Sequence, residues 1–408
     1  MRLILHPVFF QWLSIAYVGL ISLALSVLLA RELGPAGFGE YGIALAAGAI
    51  LAIFLDGGMR NILLREGTRN GKKLEHLSKQ LPAIALGHAI TTAVLLSLLA
   101  LGIFSNHLAT ALSTISCFLG IVLVQFVSAF LRGAGRWSVD AGWQMWQRTL
   151  SAALVLSVVF LGIPQPLVVL SAWAFASFLA FILFTSPLRT FPDLSFRPEV
   201  YRIAIPLIFI DLATVIYFRS DMLVLGWLGV DSNQIGQYAA SYRFLEAVIM
   251  AVNPIGLLLF RRIRLFKGGV QDFKQGLQRG VFFAAVLGVF LASGLVFISG
   301  HLVAWSYGSR YPESAQFLSI LAWALVFVLP NTLLTQAALA LDLDSLYLRA
   351  ACFAAFTNLA LNYLLVPNYG ARASAFTSVA TECLLFIFLE FSVFKEIQVK
   401  TVNQTEGW

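Results

Sequence analysis

The sequence predicts an all-α protein that spans a membrane many times, and both its composition and the length of its apolar runs indicate this. Hydrophobic residues make up 59% of the 408 residues and charged residues only 12%, whereas about a quarter of the residues in a soluble domain are charged. The apolar residues form runs of about 20 or more, the helix length that crosses a hydrocarbon core of about 30 Å. Lipid offers no partners to backbone polar groups, so runs of this length are expected to be helices.

Twelve apolar runs are long enough to be membrane spans. The first run leads into Arg31 and Glu32 without a cleavage pattern, so we interpret it as a span and not as a signal peptide. Three cysteines, Cys117, Cys352 and Cys383, fall within predicted spans without regular spacing, so we expect neither a disulfide framework nor a metal or other cofactor. The predicted spans lie near residues 8–30, 39–59, 81–104, 108–131, 141–162, 166–187, 203–228, 236–260, 280–304, 315–341, 346–366 and 371–394.

Lysine and arginine residues are concentrated in every second predicted loop. The second and eighth loops, at residues 60–79 and 261–279, are strongly basic, and the other even-numbered loops and both termini also carry basic residues. Because loops kept in the cytoplasm are enriched in lysine and arginine, this bias predicts that both termini are cytoplasmic. The net charge of +7 then follows from topology and from contact with membrane lipid, and it requires no nucleic-acid partner.

An internal repeat is indicated by two of the outer loops. The sequence from Leu33 to Tyr41 resembles the sequence from Leu228 to Tyr238. We therefore predict two halves of six spans each, an N-lobe at residues 1–197 and a C-lobe at residues 198–408. In the first half, small apolar residues stand where the second half carries charged residues within its spans.

Charged residues within the spans indicate where function is to be sought. Asp211 and Arg219 lie in the seventh predicted span, and Arg243 and Glu246 lie in the eighth. A charge near the centre of a bilayer costs roughly 3 kcal/mol or more, so a membrane helix keeps one mainly where it faces a partner, a cavity or a substrate. We expect the functional site among these residues.

The arginines have the chemistry needed to bind a phosphate group. A guanidinium group presents forked N–H donors that match phosphate oxygens. Helical rise places Arg219 and Arg243 at a similar depth on neighbouring helices. Arg148, in the fifth predicted span, lies nearer the inner face and in the other half. We predict that these three arginines bind substrate.

Structural ion pairs are the alternative interpretation of the same charges. Arg243 and Glu246 are three residues apart on one helical face, and Arg219 is close in sequence to Asp211 and Asp221. Neither aspartate is well placed on the helix of Arg219, because Asp221 projects from a nearly opposite face and Asp211 lies about 12 Å along the axis. For Arg219 the sequence therefore favours a substrate role.

Carboxylates within spans are also candidates for coupling transport to an ion gradient. Glu246, Asp211 and Glu382 each lie well inside a predicted span. Such groups often take part in proton or sodium relays. We expect H⁺ or Na⁺ as the counter-ion if transport is coupled.

Two pairs of segments resemble a known family. They are ARELGPAGFGEYGIALA at residues 30–46 with FLDGGMRNILLRE at residues 54–66, and IYFRSDMLVLGWLG at residues 216–229 with IGQYAASYRFLEAV at residues 235–248. These segments resemble the lipid-linked oligosaccharide flippases of the multidrug/oligosaccharidyl-lipid/polysaccharide exporter superfamily, typified by O-antigen repeat-unit translocases. The resemblance extends to length, span number and division into halves.

The resemblance implies a fold, a substrate and a location. It implies two six-helix lobes around a central cavity that opens to each side of the membrane in turn. It also implies transport of an undecaprenyl-pyrophosphate-linked oligosaccharide from the cytoplasmic to the outer leaflet of a bacterial inner membrane. The product would enter lipopolysaccharide O-antigen, capsule or exopolysaccharide synthesis, with a polymerase and glycosyltransferases as partners.

Two other functions are considered. A drug or small-solute antiporter of the same superfamily would share the lobes. A membrane glycosyltransferase or polymerase is suggested by Asp342-Leu-Asp344, which imitates a metal-binding D-x-D arrangement, but the loop there is too short for a nucleotide-sugar domain. No G-x-x-x-x-G-K-[ST] or H-E-x-x-H motif is present. We therefore predict a transporter without catalytic residues.

Overall fold

The computed structural model describes residues 2–67, 77, 79–103, 107–184, 191–264 and 270–405. In these residues the chain forms thirteen α-helices, a short 3-10 turn at Gly308–Arg310, and no strand. The predicted all-α class is confirmed. The helices are α1 (Arg2–Asp56), α2 (Met59–Gly67), α3 (Leu81–Ile103), α4 (Leu108–Gly133), α5 (Trp137–Phe160), α6 (Pro166–Phe184), α7 (Pro198–Trp227), α8 (Ser232–Arg264), α9 (Val270–Tyr307), α10 (Ser314–Ala322), α11 (Leu325–Ala340), α12 (Asp344–Tyr369) and α13 (Ala371–Thr405).

Each predicted span coincides with helical structure, and the helices are divided differently at one place. The first two predicted spans fall largely within α1, which is two helices joined by a kink at Gly34, where φ is 68° and ψ is 172°. Glycine adopts this backbone conformation without the steric cost that a side chain brings. The tenth predicted span is two helices, α10 and α11, which are bent by 45° relative to each other.

The described helices confirm a multi-pass membrane protein. Eight of them are long and apolar enough to cross a membrane, and counting the bent α10–α11 pair raises the number to nine. Helices α5 and α8, which carry Arg148 and the Arg243–Glu246 pair, are not among these nine. On α9, Phe283, Phe290 and Phe297 repeat every seven residues and are exposed, as expected where lipid is the solvent. The number twelve and the location of the termini stay predictions.

The chain divides into two compact units, Met1–Val215 and Ile216–Trp408. The division falls inside α7, whereas the predicted lobes at residues 1–197 and 198–408 meet before α7; those lobes stay a prediction. The first part of α7 contacts other parts of unit 1. There the Tyr201 hydroxyl and His88 Nδ1 are 3.0 Å apart.

In unit 1, helix α4 occupies the middle and packs against α1, α2, α3, α5 and α6. Small residues bring these helices close together. A Cβ at Gly120 of α4 would lie 2.7 Å from the Cβ of Ser177 on α6. Such close approach lets dispersion forces hold helices together where lipid removes the hydrophobic driving force.

In unit 2, the core lies between α9, α11, α12 and α13, where buried leucine, alanine and valine side chains form one cluster. A Cβ at Gly288 of α9 would lie 2.5 Å from the backbone oxygen of Leu325 on α11. Helices α7 and α8 are joined by a short turn in which Gly229 has a φ of 71°. The two helices that this turn joins carry most of the predicted site residues.

Candidate functional site

The carboxylate of Glu246 binds two arginines in unit 2. Its Oε1 lies 2.8 Å from Nη1 of Arg219, and its Oε2 lies 2.7 Å from Nη1 of Arg243. The side chain of Glu246 is 29% exposed, that of Arg219 is 31% exposed and that of Arg243 is 19% exposed. We call Arg219, Arg243 and Glu246 the arginine–glutamate cluster. Two cations share one anion, so the cluster retains a positive charge within otherwise apolar helices.

Helix geometry explains how this cluster forms. Arg219 lies roughly 12 Å before the end of α7, and Arg243 lies roughly 17 Å after the start of α8, by helical rise. The short connection at Gly229 therefore places the two arginines at similar distances from the same end. Glu246 follows Arg243 by three residues, which puts both on one face of α8.

The sequence anticipated one of these two ion pairs. The pair between Arg243 and Glu246 is present, as in the structural interpretation of the charges. Arg219, however, pairs with neither of the aspartates considered for it. Asp221 accepts hydrogen bonds from the Tyr238 hydroxyl and from the backbone N–H of Met222.

Asp211 belongs to a different network, in unit 1. Its Oδ2 lies 3.2 Å from Nη2 of Arg60 and 3.4 Å from Nδ2 of Asn61, both on α2. The Arg60 guanidinium also donates to Oε1 of Gln125 on α4 at 3.4 Å. Asp56, at the end of α1, accepts the backbone N–H of Arg60 at 3.2 Å. The network ties α2, α4 and α7 together, and it was not predicted from the sequence because Arg60 falls in a predicted loop.

Glu382 of α13 is buried and accepts hydrogen bonds from two neutral groups. These are the Tyr217 hydroxyl and Nδ2 of Asn331, the latter at 2.7 Å. Glu382 forms no ion pair with any described residue. Three buried oxygens, Oδ1 of Asn331 and the hydroxyls of Thr377 and Thr381, lack a hydrogen-bond partner in the described part of the chain. Among the described residues, Glu382 is therefore held by neutral donors and pairs with no cationic side chain.

Arg148 lies in unit 1, on α5. Its Nη2 donates to the Ser22 hydroxyl of α1. Its guanidinium carbon lies 4.9 Å from the ring centroid of Trp173 on α6, a cation–π contact. The structure thus holds Arg148 through a hydroxyl group and an aromatic ring.

Asp140 is a buried charge that was not predicted as a site residue. Its oxygens accept hydrogen bonds from the Ser128 hydroxyl, from Gln144 at 2.8 Å and from Gln11 at 3.0 Å, and Arg132 lies 3.5 Å away. The predicted fifth span began at residue 141 and so left Asp140 in a loop, whereas α5 begins at Trp137. Gln11 and Gln144, which stand beside apolar runs, were the signal in the sequence for a buried polar group.

Two basic loops of the predicted topology are only partly covered by the structure. Residues 68–76 and 78 of the second loop and residues 265–269 of the eighth lie outside the described residues. The cytoplasmic placement of these loops remains a prediction.

Comparisons with known proteins identify the family of this chain. The family described as "Polysaccharide biosynthesis protein" matches residues 4–260, more than half of the chain. A comparison with curated protein sequences gave no match.

Three solved structures that share this fold are a flippase and two transporters. A lipid II flippase MurJ in an inward closed conformation superposes with a TM-score of 0.77 at 15% identity, covering 96% of this chain and 90% of that one. An inward-facing multidrug resistance MATE family transporter of the MOP superfamily gives 0.73 at 15% identity, covering 94% and 95%. A MOP superfamily transporter from Pyrococcus furiosus Vc1 gives 0.56 at 14% identity, covering 94% and 95%. At these identities the likeness establishes the fold.

The resemblance drawn from the sequence segments is therefore confirmed by an independent family match and by the fold. The matched region includes the arginine–glutamate cluster and the whole of unit 1 from residue 4. The chain belongs to the polysaccharide biosynthesis protein family and has the fold of the MATE and MurJ transporters.

Proposed function

We propose that this protein is a flippase for an undecaprenyl-pyrophosphate-linked oligosaccharide, which it moves from the cytoplasmic to the outer leaflet of a bacterial inner membrane. The lipid-linked repeat unit then serves O-antigen, capsule or exopolysaccharide synthesis. The family and the fold support a lipid-linked flippase or another MOP transporter. The observation that carries the finer proposal is the arginine–glutamate cluster.

The chemistry of the cluster fits a pyrophosphate. A pyrophosphate in a low-dielectric region needs cationic donors, and arginine binds phosphate oxygens through forked N–H groups. A guanidinium group has five N–H donors, so Arg219 and Arg243 can each hold Glu246 with one donor and a phosphate oxygen with another. Glu246 keeps the two arginines together before the substrate arrives. We propose Arg219 and Arg243 as ligands of the pyrophosphate.

Arg148 is proposed as a further cation for the substrate in unit 1. Its contacts with Ser22 and Trp173 hold the guanidinium group in place. An aromatic ring beside a cation also offers a surface on which a sugar ring can pack.

Coupling to a proton or sodium gradient is proposed to act through a buried carboxylate. Of the three carboxylates considered, Glu246 and Asp211 are ion-paired with arginines, whereas Glu382 receives hydrogen bonds from neutral groups. A buried carboxylate without a cationic partner is costly, and binding of H⁺ or Na⁺ relieves that cost. The geometry therefore favours Glu382 as the coupling group.

Reconstitution tests the proposed activity. Purified protein is placed in liposomes that carry a fluorescent undecaprenyl-pyrophosphate oligosaccharide in one leaflet, and the appearance of the sugar in the other leaflet is followed with an impermeant sugar-modifying enzyme. We expect protein-dependent translocation, slower by about one power of ten for a monophosphate analogue, because one charged hydrogen-bonding group is lost. Protein-free liposomes are the control.

Two results would contradict the proposal. Proton- or sodium-driven movement of a cationic dye, with no movement of the lipid-linked sugar, would indicate a drug antiporter. A change in the mass of the lipid-linked sugar during the assay would indicate a glycosyltransferase or polymerase.

A further inference from the structure

The segment at residues 191–197, which precedes α7, presents large apolar side chains outward. Phe191 is 95% exposed, Leu194 is 71% exposed and Phe196 is 72% exposed. The segment has no helical structure and lies between two predicted membrane spans. Exposed apolar side chains of this size need an apolar or interfacial environment.

The backbone of this segment is fixed against α3 within unit 1. The N–H of Asp193 donates to the backbone oxygen of Ala83 at 2.9 Å. A Cβ at Gly87 would lie 2.0 Å from the backbone oxygen of Asp193, so the contact requires glycine at that position. The Asp193 carboxylate accepts the N–H and the hydroxyl of Ser195 at 2.9 and 2.6 Å. These hydrogen bonds hold the pKa of Asp193 below its ordinary value.

One of the apolar side chains also has an aromatic support. The ring of Phe196 stacks on Tyr201 of α7, with centroids 4.9 Å apart and planes at 14°. The segment is thus attached to α3 at its middle and to α7 at its end. Its outward side chains are presented from a defined backbone.

The contact with α3 sets the depth of the segment. Ala83 and Gly87 lie in the first two turns of α3, at roughly 3 and 9 Å from its first residue by helical rise. The headgroup region of a bilayer is about 5 to 8 Å thick on each side of the hydrocarbon core. The segment therefore lies beside the end of a predicted span, at the height of the membrane interface, where aromatic side chains are enriched.

Exposed basic side chains lie close in sequence to this segment and to its contact on α3. Lys79, just before α3, and Arg202, in the first turns of α7, are exposed, and the side chain of Arg197 is 38% exposed. The acidic groups there are Asp193, which pairs with Arg197 at 3.5 Å, and Glu199. The charge balance favours an anionic partner.

We propose that residues 191–197 form a membrane-docking segment that inserts Phe191, Leu194 and Phe196 among anionic phospholipid headgroups, with Lys79 and Arg202 contacting the phosphates. The proposed leaflet is the one on the side of the membrane where the basic loops at residues 60–79 and 261–279 are predicted to lie. The segment thereby attaches the connection between the two predicted lobes to the lipid surface. This proposal rests on membrane location and not on the transported substrate.

Site-directed fluorescence quenching tests the insertion. The native cysteines are replaced, and Leu194→Cys carries a small environment-sensitive fluorophore in nanodiscs that contain phosphatidylglycerol. Ser309→Cys, exposed in the turn after α9, is the matched control. We expect phospholipids brominated near the headgroup to quench the label at position 194 several-fold more than the label at position 309, and aqueous iodide to show the reverse order. A label at Phe191→Cys repeats the measurement if the first variant does not fold.

Lipid charge provides the second measurement. Retention of phosphatidylglycerol, measured by native mass spectrometry, should fall about fivefold for each of Lys79→Gln and Arg202→Gln. Equal quenching at positions 194 and 309 would overturn the proposal. Iodide access in nanodiscs together with protection in native membranes would also overturn it, because that result requires a protein partner on this surface instead of lipid.

Discussion

Replacing Glu246 with glutamine removes the negative charge that holds Arg219 and Arg243 together while keeping the length of the side chain. Both guanidinium groups contact the same carboxylate, at 2.8 and 2.7 Å, so their charges lie within roughly 8 Å of each other, and at an effective dielectric constant of about 20 their repulsion is about 2 kcal/mol. Removing one partner of a fully buried ion pair costs about 3 to 5 kcal/mol. These side chains are partly exposed, so we expect a loss of about 2 kcal/mol in the free energy of unfolding.

Thermal unfolding of the purified protein measures this loss. For a unit of about 200 residues, 2 kcal/mol corresponds to an apparent melting temperature lower by roughly 4 to 8 °C. Glu390→Gln is the matched control, because Glu390 of α13 forms no ion pair with a described residue. The lipid-linked pyrophosphate should raise the melting temperature of Glu246→Gln more than that of the parent protein, because its charge replaces the missing carboxylate.

Two results would refute this reasoning about Glu246. An unchanged melting temperature in Glu246→Gln would mean that the ion pairs contribute nothing to stability. Equal stabilisation of the parent and the variant by the pyrophosphate lipid would mean that the substrate does not contact the two arginines.

Two further predictions concern coupling and topology. Glu382→Gln should retain binding of the lipid-linked substrate but lose the response of transport to proton and sodium gradients, because glutamine cannot gain or lose a charge; an unchanged gradient response in reconstituted liposomes would exclude Glu382 as the coupling group. Cysteine at Asn70 should be protected from an impermeant thiol reagent added to intact cells, whereas cysteine at Ser232 should react; labelling at position 70 would reverse the assigned orientation.

The positions of the helices were predictable because apolar run length alone determines where a chain can cross lipid. What run length does not reveal is how the runs are joined. Gly34 breaks α1 with a single non-helical residue, so the first two predicted spans follow each other without a loop. At the end of α1, Gly57 and Gly58 have φ values of 55° and 74°. They precede the short helix α2, which was predicted to be a loop.

The ion pairs, too, were predictable from the sequence only where both residues lie on one helix. The pair between Arg243 and Glu246 was predictable because residues three apart on a helix share a face. The pair between Arg219 and Glu246 depends on how α7 and α8 are rotated about their axes, which packing decides. Asp211 was expected to pair with Arg219 or to bind an ion, yet it binds Arg60, because the short helix after the two glycines brings that arginine beside α7.

The most direct test of whether Arg219 binds the pyrophosphate is the transport of lipid-linked oligosaccharide by variants of this residue. Transport is normalised to the amount of folded protein. Arg349→Ala, at an exposed position on α12, is the control for loss of a basic side chain. Loss of one phosphate contact costs about 2 to 3 kcal/mol, so we predict that, at substrate concentrations below saturation, Arg219→Ala lowers transport by one to two powers of ten, that Arg219→Lys retains part of it, and that Arg349→Ala transports normally. Parental transport by folded Arg219→Ala would contradict the account.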